Sequence, residues 1–95
     1  MRVRLTPSAI RDLEAIRRWL TQPGSGASAV RKRRDIARAI REIAAAPARW
    51  PVSAVHEGVR ERHLHGYTLC YEIDETLDAV TILRVFGPGQ HRDPV

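Results

Sequence analysis

Residues 59–86 read VRERHLHGYTLCYEIDETLDAVTILRVF, and three runs in this stretch have the residue pattern of β-strands. Its first run ends at His65-Gly66, where glycine permits the positive φ of a tight hairpin turn. The next run, 67–73, alternates in polarity, and 79–86 is apolar on both faces after the polar turn 74–78. The stretch therefore predicts a three-stranded antiparallel meander whose last strand is central and covered on both sides.

Two amphipathic helices are predicted upstream of the meander. MRVRLT alternates, which indicates a short half-buried strand with Val3 and Leu5 on one face. Thr6-Pro7 then resembles an N-cap followed by proline at the first helical position. Apolar spacing predicts one helix over about 7–21 and a second over about 28–46, joined by the breaker QPGSG into an antiparallel hairpin.

The predicted fold class is thus α+β. An N-terminal strand, a two-helix hairpin and a three-stranded antiparallel meander form a four-stranded sheet in the order β-α-α-β-β-β. Residues 1–95 are expected to form a single domain, because no linker, repeat or low-complexity tract interrupts them. The pattern does not reveal which strand pairs with the first one. The segment 47–58 is expected to be a loop, with Trp50-Pro51 packing on apolar residues.

Composition limits the possible functions. Sixteen Lys+Arg against 11 Asp+Glu give a net charge of +5 and a pI near 10.6, which favours an anionic partner. The single cysteine, Cys70, allows no intramolecular disulfide and is expected to be a small buried hydrophobe. The histidines are too scattered to suggest a metal site, and no cofactor motif is present. With no apolar run of membrane-spanning length, a cytoplasmic protein without a membrane partner is predicted.

The hairpin register follows from the turn at 65–66. It sets Leu64 opposite Tyr67, so that Arg62 lies opposite Leu69 and Arg60 opposite Tyr71. These two arginines then share a face with the two tyrosines. Which face of the last strand joins them is left open by the alternation. The candidates for binding a target or phosphate are Arg60, Arg62, Tyr67, Tyr71, Arg84, His91 and Arg92.

Such residues suit RNA, since guanidinium groups hold phosphate, aromatic rings stack on bases and histidine transfers protons near neutral pH. Cleavage through the ribose 2′-OH would need a base, an acid and cationic stabilisation, but no metal. Taken alone, this pattern is a weak signal, because such arginines more often form surface or intramolecular ion pairs. His63 beside Glu61 also fits a simple cross-strand polar pair.

Four segments resemble the RelE/ParE superfamily of type II toxins, and together they cover essentially the whole chain. They are LTPSAIRDLEAI (5–16), IARAIREIAAAP (36–47), GVRERHLHGYTLCYEID (58–74) and VTILRVFGPGQHRDP (80–94). The resemblance implies a small α/β toxin that is neutralised by an acidic, partly disordered antitoxin of the ParD type. Its implied antitoxin contacts are Leu13, Trp19, Leu20 and Arg33.

The resemblance leaves two branches open. RelE-like members cleave mRNA on the ribosome, and on this chain Arg60, Arg62 and Arg84 would bind phosphate while His91 transfers protons. However, no tyrosine follows Phe86, and the lysine cluster of RelE has no counterpart. ParE-like members instead bind and inhibit DNA gyrase. The tail favours this second branch, so no catalytic residue is assigned. A degenerate module without activity is a third possibility.

Overall fold

The computed structural model describes residues 1–88 and confirms the predicted order of elements. Helix α2 begins two residues earlier than predicted, and a single 3₁₀ turn interrupts the expected loop. His91 and Arg92 lie outside the described residues. The elements are β1 (Arg2–Leu5), α1 (Pro7–Leu20), α2 (Gly26–Ala45), the 3₁₀ turn (Pro47–Arg49), β2 (Arg60–Leu64), β3 (Tyr67–Asp74) and β4 (Ala79–Phe86).

The four strands form one mixed sheet in the order β1-β4-β3-β2. The meander β2-β3-β4 is antiparallel, as predicted, and β4 is an inner strand. β1 pairs in parallel with β4, with Val3 opposite Val80 and Leu5 opposite Ile82. A parallel pair needs a crossover connection, and the α1–α2 hairpin provides part of it. The fold is therefore α+β, with a sheet that is not purely antiparallel.

The β2–β3 turn has the predicted position and register. Both turn residues have positive φ, 51° at His65 and 79° at Gly66. This pair of angles is typical of the primed two-residue turns whose twist matches that of the strands. Leu64 lies opposite Tyr67, and Arg60 lies opposite Tyr71. The sequence pattern was therefore sufficient to place every side chain of β2 on its correct face.

A β-bulge in β4 changes the expected alternation. Tyr71 lies opposite Ile82, but Cys70 lies opposite Arg84, so one extra residue is accommodated in β4. Strict alternation places Ile82 and Arg84 on the same face. In the structure Ile82 shares the helix-facing side of the sheet with Val85, while Arg84 pairs across from the opposite-facing Cys70. The extra residue is the reason for this difference.

Both helices pack on one face of the sheet and form the main core. Its fully buried members are Ala9, Ala39, Ile43, Leu69, Tyr71, Val80, Ile82 and Val85. Trp50 packs against this cluster, as predicted for the loop. Val59, Cys70 and Phe86 form a smaller cluster with Leu83. Cys70 is thus buried, as its position in the strand suggested.

The start of α1 is tied to the bulge through Thr6. Its hydroxyl oxygen accepts a hydrogen bond from the Ala9 amide at 3.0 Å, which confirms the predicted N-cap. The same hydroxyl donates to the Leu83 carbonyl at 2.7 Å. Val3 and Leu5 are each 39% exposed, which is less burial than predicted, because β1 is an edge strand. Within residues 1–88 neither helix has the length and apolarity needed to cross a membrane.

Candidate functional site

Arg84, one of the predicted candidates for binding a target or phosphate, is held by an aspartate of α1. Its Nε donates to Asp12 Oδ2 at 2.8 Å, and its Nη2 donates to Asp12 Oδ1 at 3.2 Å. The Val85 amide donates to the same carboxylate at 2.9 Å. The hydrogen bond to Asp12 raises the pKa of Arg84, against the opposing effect of burial. The guanidinium also lies 4.6 Å from the centre of the Phe86 ring.

Arg60 and Arg62 lie on the helix-facing side of the sheet, where they hold the segment that follows α2. Arg60 donates to the Trp50 carbonyl at 2.6 Å. Arg62 pairs with Glu42 of α2 at 2.8 Å, and its guanidinium stacks 4.3 Å from the centre of the Trp50 ring. A stacked and paired arginine is oriented by its neighbours. Both arginines therefore have intramolecular partners that position the loop.

The two tyrosines are also occupied in the interior. Tyr71 is fully buried, and its hydroxyl donates to the Pro47 carbonyl at 2.5 Å. Tyr67 packs in a second apolar cluster with Leu20, Ala29 and Ile36. Burial raises the pKa of both tyrosine hydroxyls, because the phenolate loses its hydration. Neither ring is presented as a stacking platform for a base.

Arg60, Arg62 and Arg84 therefore do not converge on one face of the sheet. The bulge places Arg84 across from Cys70, on the face opposite to the one that Arg60 and Arg62 share with Tyr71. Asp12 of α1 reaches Arg84 at the edge of β4, beyond the residues that pair with β1, where the Val85 amide donates to the same carboxylate. Asp12 is a partner of Arg84 that the sequence pattern does not predict. In the sequence Asp12 follows Arg11 on the predicted helix, which gives no sign of a contact with a strand. Only the packing of α1 on β4 reveals its role.

Two apolar grooves on the helical hairpin contain the predicted antitoxin contacts. The first, of about 300 Å³, runs between α1 and α2 and includes Leu13 and Arg33. Ile16, which lines both grooves, was not among the predicted antitoxin contacts. The spacing that marks Ile16 as apolar also fits a core residue, so the sequence does not distinguish the two roles. The complete lining of the first groove is Leu13, Ile16, Arg17, Arg33, Ile36, Ala37 and Ile40.

The second groove, of about 440 Å³, runs between α1 and the end of β4 and includes Trp19 and Leu20. Trp19 is 66% exposed, which is unusual for the largest apolar side chain. Lys32 of α2 lies at the edge of this groove. An exposed tryptophan that lines an apolar groove beside a cationic side chain is typical of a protein-binding surface. The lining is Asp12, Ala15, Ile16, Trp19, Leu20, Lys32, Tyr67, Val85, Gly87 and Pro88.

The histidines of the β2–β3 hairpin make polar contacts with nearby residues. His65 Nε2 lies 2.7 Å from Asp35 Oδ2 and links the turn to α2. This hydrogen bond is the main reason that the pKa of Asp35 is lowered. His63 contacts the Thr68 hydroxyl at 3.0 Å and Glu61 at 3.2 Å. Across residues 1–88, no three His, Cys, Asp or Glu side chains are grouped as metal ligands would be.

A family model provides the first comparison with known proteins. Residues 3–91 match the model described as "ParE toxin of type II toxin-antitoxin system, parDE". Among curated proteins, none matches this chain. The family match extends over nearly the whole sequence, from the first strand to the tail.

Solved structures share the fold. The chromosomal ParDE system of P. aeruginosa contains a chain with a TM-score of 0.72 and 20% identity, covering 93% of this chain and 96% of its own. A chain of the RelBE2 toxin–antitoxin complex from Mycobacterium tuberculosis has a TM-score of 0.66 and 26% identity, covering 94% and 92%. The isolated E. coli RelE toxin has a TM-score of 0.67 and 15% identity, covering 96% and 87%. Because the family model spans residues 3–91, this chain belongs to the ParE toxin family of type II toxin–antitoxin systems.

Proposed function

We propose that this toxin acts by binding and inhibiting DNA gyrase, as the ParE branch implies, and that it does not cleave RNA. One observation carries the proposal: the strand residues that would contact RNA are bonded within the protein. Arg84 is paired with Asp12, Arg62 with Glu42, and the Tyr71 hydroxyl with a backbone carbonyl. Releasing a partly buried arginine to bind phosphate would leave a carboxylate without its partner, which is unfavourable.

The internal contacts of the strand side chains also argue against a role for them in proton transfer. A general acid or base needs a pKa near the working pH and access to the reacting group. The Tyr71 hydroxyl is buried, and burial raises its pKa further above neutrality. Arg84 also has a raised pKa, so it stays charged and cannot act as a base at neutral pH. These features support a surface that binds a protein target.

A supercoiling assay tests this proposal directly. Purified toxin is titrated into gyrase, ATP and relaxed plasmid, and the expected result is loss of supercoiled product or accumulation of cleaved DNA. In parallel, toxin is added to translating ribosomes, and the mRNA is expected to remain intact. Unimpaired gyrase at large toxin excess would refute the proposal. Translation-dependent cleavage that Arg84→Ala abolishes would instead establish the RelE-like alternative.

We further propose that an acidic antitoxin neutralises this toxin by laying an apolar helix along the α1–α2 groove. Leu13, Ile16 and Ile40 provide the apolar floor, while Arg17 and Arg33 provide cationic edges that complement acidic side chains. The described complexes ParDE and RelBE2 contain an antitoxin with a toxin of this fold. The antitoxin segment is expected to fold as it binds.

Co-expression with the product of the neighbouring reading frame tests the groove. Ala37 lines the groove and is exposed, whereas Ala45 is exposed at the end of α2 outside the groove. Ala37→Asp should weaken capture of the antitoxin by at least about tenfold, because a buried carboxylate would face an acidic partner. Ala45→Asp is the matched control and should bind like wild type. Equal affinity of both variants would exclude this groove.

A further inference from the structure

The positive charge of the chain is concentrated in the helical hairpin. Nine of the 16 basic residues and four of the 11 acidic residues lie between positions 7 and 45, so this segment carries the entire net charge of +5. The remaining residues contain seven basic and seven acidic side chains and are neutral overall. A field of this kind attracts a polyanion to the helices, and not to the sheet.

Four arginines form a stripe on the solvent face of α2. An α-helix turns by about 100° per residue, so Arg31, Arg34, Arg38 and Arg41 fall within an arc of about 80°. At about 1.5 Å per residue the stripe is roughly 15 Å long. The centre of this arc is opposite Ile36, which is buried in the interior. The stripe therefore points directly away from the core.

The fold does not require this stripe. All four side chains are exposed, and only Arg38 has an ion-pair partner, Asp35, at 2.7 Å. Within residues 1–88, the side chains of Arg31, Arg34 and Arg41 make no hydrogen bond or ion pair, although the charge of Arg34 helps to lower the pKa of the neighbouring Asp35. Like charges three and four residues apart destabilise a helix, so successive members of the stripe disfavour α2. These exposed guanidinium groups are therefore available to an external anion.

We propose that the arginine stripe of α2 binds the phosphate backbone of duplex DNA. A straight stripe of about 15 Å matches about four phosphates of one strand, because each strand of B-DNA carries one charge per about 3.4 Å of axis. Guanidinium groups suit phosphate because they bind it with two parallel hydrogen bonds. This activity goes beyond gyrase inhibition and does not depend on it, because the toxin alone would bind DNA.

The stripe is poorly suited to an acidic protein. Protein interfaces depend on a desolvated core of large apolar side chains. Apart from the four arginines, the arc contains only Ala27 and Ala45. The apolar groove of the hairpin is on a different side of α2, around Ile36 and Ile40. The two surfaces therefore differ in chemistry, and an antitoxin in the groove would leave the stripe open.

The test is fluorescence anisotropy of the full-length toxin with a labelled duplex of about 20 base pairs, at several KCl concentrations. Four phosphate contacts predict a slope of log K against log salt between about −3 and −4. Combining Arg31→Ala, Arg34→Ala and Arg41→Ala should reduce that slope by about three and weaken binding at least about tenfold near 0.1 M salt. Alanine favours the helix, so circular dichroism should show a folded variant.

A matched variant separates the stripe from net charge. Combining Arg4→Ala, Arg11→Ala and Arg18→Ala removes the same charge from exposed positions on β1 and α1. This control should lose less than about threefold in affinity. Equal losses in the two variants would overturn the proposal, as would the absence of duplex binding at about 50 mM KCl. Tighter binding of single-stranded RNA of equal length, or equally effective competition by polyglutamate, would also overturn it.

Discussion

Replacing Asp12 by alanine should destabilise the protein more than any other single change on the surface of α1. The carboxylate accepts two hydrogen bonds from Arg84 and one from the Val85 amide. The Asp12 side chain is 15% exposed and that of Arg84 is 27% exposed. Without Asp12, a largely covered guanidinium and a backbone amide at the bulge would lose their acceptor. The loss therefore has an ionic part and a backbone part.

The magnitude follows from these two parts. Breaking a fully buried ion pair costs about 3–5 kcal/mol, and partial exposure reduces this to roughly 1–2 kcal/mol. The unpartnered amide adds about 1 kcal/mol. The expected loss is about 2–3 kcal/mol out of roughly 5–14 kcal/mol for a domain of this length. The melting temperature should fall by roughly 8–24 °C.

Urea denaturation of a double-mutant cycle measures this effect. Asp12→Ala, Arg84→Ala and the double variant should show a coupling of about 1–2 kcal/mol, because the two side chains are in contact. Asp12→Asn keeps an acceptor for the Val85 amide and should lie between wild type and Asp12→Ala. A loss below about 0.5 kcal/mol for Asp12→Ala, or strictly additive single changes, would refute the structural role assigned to Asp12.

Three further predictions concern single sites. Thr6→Ala should cost about 1–2 kcal/mol in urea unfolding, because it removes the N-cap and the bond to Leu83, and Thr6→Ser should recover most of the loss. Gly66→Ala should cost about 1–2 kcal/mol, since its φ is +79° and the new Cβ would lie 3.1 Å from Pro88. The control Gly24→Ala, also at positive φ but in open space, should cost less, and equal losses would exclude the Pro88 contact. Asp35→Asn should flatten the acid side of the stability profile: the pKa of Asp35 is lowered below 3.8 on folding, so its contribution is present above that pH and is lost as pH falls through the folded value. Identical acid slopes for wild type and variant would show that the His65–Asp35 contact does not affect stability.

The local sequence pattern predicted most of the fold, because periodicity and turn chemistry depend on residues that are close together in the chain. The helices, the three strands of the meander and the register at His65-Gly66 all followed from spacing. The same spacing identified Leu13, Ile16 and Leu20 as apolar positions on α1. Spacing alone could not distinguish the α1 residues that line a groove from those that fill the core, because both kinds recur at the same interval.

The roles of the arginines depend on tertiary contacts. The parallel pairing of β1 with β4 and the bulge beside Arg84 depend on contacts between residues far apart in the chain. A single extra residue in β4 reverses the alternation and moves Arg84 to the face opposite Arg60 and Arg62. Asp12 then neutralises it from a helix more than 70 positions away. Charge and periodicity can be read from the sequence alone. Whether Arg84 is free to contact phosphate or forms an internal ion pair depends on the packing of α1 on the sheet.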